Sequence, residues 1–181
     1  MKINHVGTKE IKTERLILRK FNENDAKEIF ETWLSDSEVA KYMVWNHQKD
    51  IKETEEWLKK CISKYEKLDV YNWGIELKEN GKLVGSISAN KTENNDECYE
   101  IGYALGKKYW RNGYATESLK AVVEFLIKEV GISKFLCRYA KENQASRSVI
   151  RKVGFEYKGK GKFTSLDGKR NYESEEYYLE R

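Results

Sequence analysis

Apolar positions along this chain switch between a spacing of two and a spacing of three to four, and the switches mark out its elements. Arg15-Leu16-Ile17-Leu18-Arg19-Lys20-Phe21 reads as a first strand. Asn24-Asp25 then looks like a helix start, followed by Ala26, Ile29, Phe30, Trp33 and Leu34 at helical intervals. Ser35-Asp36-Ser37-Glu38 has the form of a capping box and predicts a second short helix. Between Asp50 and about Leu68, the residues Trp57, Leu58, Cys61, Ile62 and Tyr65 form an apolar helical stripe.

The spacing of two returns at Trp73, Ile75 and Leu77, and Asn80-Gly81 turns the chain into a return strand from Leu83 to Ala89. Cys98 to Leu105 alternates again, with Tyr99, Ile101, Tyr103 and Leu105 on one face and Cys98, Glu100, Gly102 and Ala104 on the other. A loop ending in Gly113 leads to a long helix carrying Ala115, Leu119, Val122, Leu126 and Val130, closed by Gly131. Lys134 to Ala140 is a further strand and Asn143 to Lys152 a helix. Phe155 to Lys160 and Tyr172 to Leu179 are two last strands around Leu166-Asp167-Gly168-Lys169. This order predicts a mixed α/β fold in one domain, since no proline-rich or Gly/Ser-rich linker and no repeat divides the chain.

Composition narrows the function classes. The 34 basic and 30 acidic residues are interspersed, which fits a solvated surface better than a nucleic-acid stripe. No apolar run reaches membrane length, and Met1-Lys2-Ile3-Asn4-His5 lacks a secretory signal core, so a cytoplasmic protein without membrane or nucleic-acid partners is expected. Cys61, Cys98 and Cys137 are odd in number and widely separated, which suits neither a disulfide framework nor a metal site.

Chemistry concentrates at the strand-to-helix junction Trp110-Arg111-Asn112-Gly113-Tyr114-Ala115-Thr116. Amides at a helix N-terminus and the positive end of its dipole favour a phosphate, and small residues let one approach. Taken alone, Gly113 also fits an ordinary helix entry. The segment resembles the pyrophosphate loop of the GNAT acetyltransferases, with Gly113 and Ala115 matching and Trp110 where the family usually carries Gln or Arg. That departure is familiar in the branch containing the ribosomal-protein N-terminal acetyltransferases. Arg15-Leu16-Ile17-Leu18-Arg19, Glu100-Ile101-Gly102-Tyr103, Asn143-Gln144-Ala145-Ser146 and Lys152-Val153-Gly154-Phe155 resemble further segments of that branch in order and spacing. The resemblance covers about residues 12–180. It implies one N-acetyltransferase domain over 1–181, of α+β type, with a central, mostly antiparallel, splayed sheet flanked by helices.

The same resemblance implies the site. Acetyl-CoA would be the co-substrate, its pantetheine arm pairing with the backbone of Tyr103, Ala104 and Leu105, one of whose amides would face the thioester oxygen. Asn143 would bond the pantetheine amide and Ser146 would lie near the sulfur. Both are equally good residues for a helix start. Glu100 is the candidate general base for an acceptor amine protonated near neutral pH, with a surface or ion-paired carboxylate as the alternative. Many relatives place a Tyr where this chain has Ile150, leaving Ser146 or water to protonate the thiolate. Tyr42 and Trp45, in an irregular stretch, are candidate acceptor walls, whereas Trp33 and Trp57 lie on apolar stripes and should be core. His47 is expected to be solvated. The reaction expected is acetyl transfer by direct attack in a ternary complex, to a protein N-terminus or to a small amine. The alternatives are a cysteine-linked route and a non-catalytic acyl-CoA-binding module. Monomer and homodimer both remain open.

Overall fold

A computed structural model describes residues 3–92 and 95–181, with the backbone alone for Asn95 and Asp96. Met1 and Lys2 of the N-terminal segment lie outside the described residues. Eight strands form one sheet. In chain order they are β1 (Ile11–Lys12), β2 (Leu16–Arg19), β3 (Tyr71–Leu77), β4 (Leu83–Thr92), β5 (Asn95–Leu105), β6 (Lys134–Ala140), β7 (Glu156–Thr164) and β8 (Asn171–Glu180). Their spatial order is β1-β2-β3-β4-β5-β6-β8-β7. Every pairing is antiparallel except β5 with β6, which run parallel.

That exception shapes the molecule. The parallel register holds at Cys98 with Lys134, Tyr99 with Phe135 and Glu100 with Leu136, and goes no further. Yet β5 continues to Leu105 and β6 to Ala140. The two strands therefore part beyond Glu100, and the sheet is split at its centre as the splayed-sheet expectation requires.

The helices follow the predicted stripes, with differences at their ends. A 3₁₀ turn at Glu23–Asp25, α1 (Ala26–Ile29) and a wider π turn at Phe30–Leu34 form one winding rod. α2 (Ser37–Ala40) is capped by Asp36, whose side chain accepts from the Glu38 amide, whereas Ser35 donates its hydroxyl to the Phe30 carbonyl. The cap is thus one residue later than the sequence pattern suggests. α3 (Ile51–Ser63) starts on a complete capping box of Asp50 and Glu53 and passes into a 3₁₀ turn at Lys64–Glu66. α4 (Tyr114–Phe125) ends in a π turn closed by Gly131, and α5 (Gln144–Val153) starts at Asn143. The short β1 escapes sequence detection because two residues carry no period.

Each sheet face has its own apolar layer. On one side Leu16, Leu18, Trp73, Ile75, Tyr99, Ile101 and Phe135 pack against Leu119, Val122 and Leu126 of the α4 rod. On the other, Phe21, Ile29, Trp33, Val39 and Leu58 pack over Leu83 and Ala104. Fully burying a large apolar side chain contributes about 1.5–3 kcal/mol, so these layers hold the split sheet in shape. The β4–β5 pair is closely apposed: a Cβ on Gly85 would lie 2.1 Å from the Ala104 carbonyl oxygen. Only glycine fits there.

Candidate active site

Past the split, the α1–α3 side of the sheet is open. A cleft of about 830 Å³ lies there, with Ser86, Ser88 and Asn90 of β4 and Glu100, Gly102 and Ala104 of β5 along its floor. The registers Ser86–Ala104, Ser88–Gly102 and Asn90–Glu100 put these residues side by side. Alternation explains the choice: Tyr99 and Ile101 take the apolar layer, which leaves their small or charged neighbours facing the cleft. Gly102 has open space where a Cβ would stand.

Glu100 is half-buried in this cleft and ion-paired. Its Oε2 lies 2.9 Å from Nη2 of Arg138, and Arg138 Nε donates to Oε1 at 3.3 Å. Burial pushes the Glu100 carboxyl above its ordinary value, against the charge and hydrogen bond of Arg138, and Glu176 pushes the same way as burial. Glu100 is thus the ion-paired carboxylate of the two alternatives, and its pairing leaves it lining the cleft. Arg138 was not legible beforehand. It lies two residues after Leu136, the register partner of Glu100, so the signal exists only once the parallel pairing is known.

The far wall comes from β6 and α5. Cys137, Tyr139, Asn143, Ser146 and Ile150 line it. Asn143 accepts the Ser146 amide at 3.3 Å, which caps α5, and the Tyr103 hydroxyl reaches across the split to donate to the Ser146 carbonyl at 3.4 Å. Burial raises the Tyr103 hydroxyl far above its ordinary range, so it stays protonated. Burial likewise raises the Cys61 thiol to about 11 and lifts Cys98 and Cys137. A cysteine nucleophile needs the thiolate, and these surroundings oppose it.

Beyond Leu105 the chain enters the candidate anion loop. Trp110 donates its indole N–H to the Leu105 carbonyl at 2.8 Å, so its side chain braces the loop against the end of β5. That carbonyl is thereby engaged, and Leu105 does not line the cleft, whereas Tyr103 and Ala104 do. Arg111 (φ 63°) and Gly113 (φ 82°) are both left-handed, which turns the chain sharply into α4. No side chain caps the first amides of α4. Trp110, Arg111, Asn112 and Gly113 are exposed, and Tyr114, Ala115 and Thr116 are half-buried at the helix start. Unclaimed amides, a helix dipole and a residue without Cβ suit a phosphate.

Arg15, which sequence reading treated only as part of a strand, fastens this loop. Its guanidinium donates to the Asn112 carbonyl and to Glu117, and it covers the Tyr114 ring at 4.7 Å. Arg170 does the same for the opposite wall. It donates to the carbonyls of Ala40 and Lys41 through Nη1 and of Met43 and Trp45 through Nη2, and so holds the strip carrying Tyr42 and Trp45 against the β7–β8 turn. Tyr42, Trp45 and Phe163 all line the cleft. Trp33 is buried as expected. Trp57 differs: it packs edge-on against Phe21 and also lines the cleft. His47 is exposed and outside the lining. Among the described residues no helix is long and apolar enough to cross a membrane.

Residues 15–156 match the family described as the acetyltransferase (GNAT) domain. The uncharacterized N-acetyltransferase YoaA of Bacillus subtilis is 30% identical over 149 residues, 82% of this chain and 84% of that protein. Among solved structures, a GNAT-family acetyltransferase from Bacillus anthracis superposes with a TM-score of 0.81 at 26% identity, covering 95% of this chain and 98% of that one. A structure of RimL, a ribosomal L7/L12 alpha-N-protein acetyltransferase in complex with coenzyme A, gives a TM-score of 0.81 at 19% identity, covering 95% and 98%.

Proposed function

This chain belongs to the GNAT acetyltransferase family and is an acetyl-CoA-dependent N-acetyltransferase, and from that premise we propose that it acetylates a peptide N-terminus by direct attack, with Glu100 as the base. One observation carries the reading: Glu100, the unpaired end of β5 and the start of α5 all face one cleft at the split in the sheet.

The residues present fit the co-substrate. Gly113 and the uncapped amides of α4 suit its diphosphate, with Arg111, Asn112, Tyr114, Ala115 and Thr116 around them and Trp110 bracing the loop. The parted edge of β5 at Tyr103 and Ala104 suits an extended amide-bearing arm. Bound acetyl-CoA supplies an activated acyl thioester. Glu100 takes the proton from the acceptor ammonium, directly or through water, which frees the nitrogen lone pair to form the new C–N bond. A main-chain amide of the Tyr103–Leu105 stretch donates to the oxygen on which negative charge develops. As the C–S bond breaks, Ser146 or water returns a proton to the sulfur. That thiol has a pKa near that of cysteine, about 8.5, so a weak acid suffices.

The peptide acceptor is favoured by the shared fold with RimL, an alpha-N-protein acetyltransferase, and by the aromatic side chains of Tyr42 and Trp45 on the cleft wall. The test is release of CoA thiol over a panel of peptides and small amines, with mass spectrometry of the products. Acetylated peptide N-termini are the expected result. Products from small amines alone would overturn the acceptor assignment, and acetyl-CoA binding with no thiol release from any amine would favour a binding module.

A further inference from the structure

The charges of the cleft are unevenly placed. The carboxylate of Glu100 lies at the split, held by Arg138. At the α3 end of the cleft, Lys64 and Lys67 both line the wall. They bracket a single 3₁₀ turn, with the Lys67 amide bonded to the Lys64 carbonyl at 3.0 Å. In a turn of that kind side chains three apart eclipse one another, which explains why both lysines face the cleft while Glu66 between them does not. Lys91 lines the cleft too and has a partner of its own. Among the described lining residues, Asp69 is the only carboxylate besides Glu100.

Resting on the acetyltransfer reading above, we infer that the acceptor is an amine carried on a carboxylate-bearing body: its ammonium is received at Glu100 and its carboxylate is drawn to Lys64 and Lys67. An N-terminal peptide with Asp or Glu in its first residues has this chemistry, and so does a free dicarboxylic amino acid. A polyamine or an aminoglycoside does not. Several ammonium groups would meet Lys64, Lys67, Lys91 and Arg138 with only Asp69 and the paired Glu100 to offset them. Like charges at close range repel, and the repulsion grows as water is excluded. The neutral donors and acceptors between the two ends, Asn72, Ser86, Ser88 and Asn90, serve main-chain amides as well as they serve a single amino acid.

The experiment measures CoA release at low and high salt for three arms. These are C-terminally amidated peptides with acidic, neutral or basic second and third residues; free glutamate and aspartate; and spermidine. Acidic acceptors should exceed basic ones in kcat/KM by about fivefold or more at low salt, and the ratio should shrink as salt screens it. The double variant K64E/K67E should invert the order, while K59E/K60E, the same charge change on the preceding helix α3 and away from the cleft lining, shifts the ratio by less than about twofold. The peptide and amino-acid arms tell the two sources apart. Preference for basic peptides or spermidine, or an order unchanged in K64E/K67E, overturns the inference and leaves acetyl transfer standing. Thiol release from no arm overturns both.

Discussion

Arg15 and Glu117 lie 102 positions apart and meet in a 2.8 Å ion pair that ties the entry of α4 to β2. The same carboxylate accepts from the Arg15 amide at 2.9 Å and from the Thr13 hydroxyl at 2.6 Å. The loop before α4 thus takes its position from the turn between β1 and β2, and two left-handed residues, Arg111 and Gly113, are held in place by contacts outside the loop.

Stability should record this pairing as a function of pH. Burial raises the Glu117 carboxyl, but the hydrogen bonds from Thr13 and Arg15 outweigh it, so it lies below its ordinary value. A carboxylate depressed in the folded state stabilises above its unfolded pKa of about 4.3 and loses that contribution as pH falls through the folded value. Denaturant unfolding from pH 6 down to 3 should show the parent losing its margin over Glu117→Gln. A constant difference across that range would exclude the linkage.

Gly113→Ala should weaken both fold and co-substrate binding. At φ 82° a side chain costs about 1–2 kcal/mol, and the new Cβ would stand 3.2 Å from Nη2 of Arg15. Arg15 can shift, but the shift disturbs its bond to Asn112. Calorimetric titration with acetyl-CoA should give a Kd higher by roughly tenfold, about 1.4 kcal/mol. Unchanged affinity would place the diphosphate elsewhere.

Glu100→Gln should lower kcat by about 10²–10⁴-fold and leave acetyl-CoA affinity nearly constant. In the parent, activity should rise with pH as Glu100 loses its proton, with a midpoint above the ordinary carboxylate value because burial outweighs Arg138. Removing the guanidinium in Arg138→Gln strips out the lowering influence, so the acid limb should move to higher pH. A limb that stays put in both variants would show that another group is being titrated.

Arg170→Ala should loosen only the cleft wall that carries Tyr42 and Trp45. The variant leaves four carbonyls, from Ala40 to Trp45, without their guanidinium donor, although Tyr172 still donates to Lys41 and the Leu166 amide to Val44. A KM for acceptor raised about fivefold to tenfold, with acetyl-CoA affinity held, is the expected pattern, consistent with losing about 1–1.5 kcal/mol of hydrogen bonding. Faster hydrogen exchange over residues 41–46 should accompany it. Equal loss of co-substrate affinity would mean the clamp supports the whole fold.

Local pattern carried much of the fold. Strands such as β3 and β5 and helices such as α3 show their period within their own residues, and Gly113 and Gly131 mark where α4 begins and ends. The cleft-facing side of β5 was legible for the same reason. What escaped detection depends on pairing across distance. Arg138 meets Glu100 only because β5 and β6 run parallel in one register, and Arg15 and Arg170 reach loops about a hundred residues away in sequence. An arginine on a strand carries no sign of which carbonyl or carboxylate it will find. Trp57 packs against the core as its stripe implies and also lines the cleft, because a helical stripe tells which face turns inward but not where that face runs out of neighbours.

The parting of β5 from β6 also bears on how folding and ligation are linked. An interior seam that stops after three register pairs leaves polar main chain in the middle of a sheet rather than at its rim. A guest that satisfies that main chain adds to the cohesion of both halves, and by mass action a hundredfold excess over its dissociation constant stabilises the native state by about 2.7 kcal/mol. The robustness of this protein is therefore partly a property of the metabolite supply around it, and not of its covalent sequence alone.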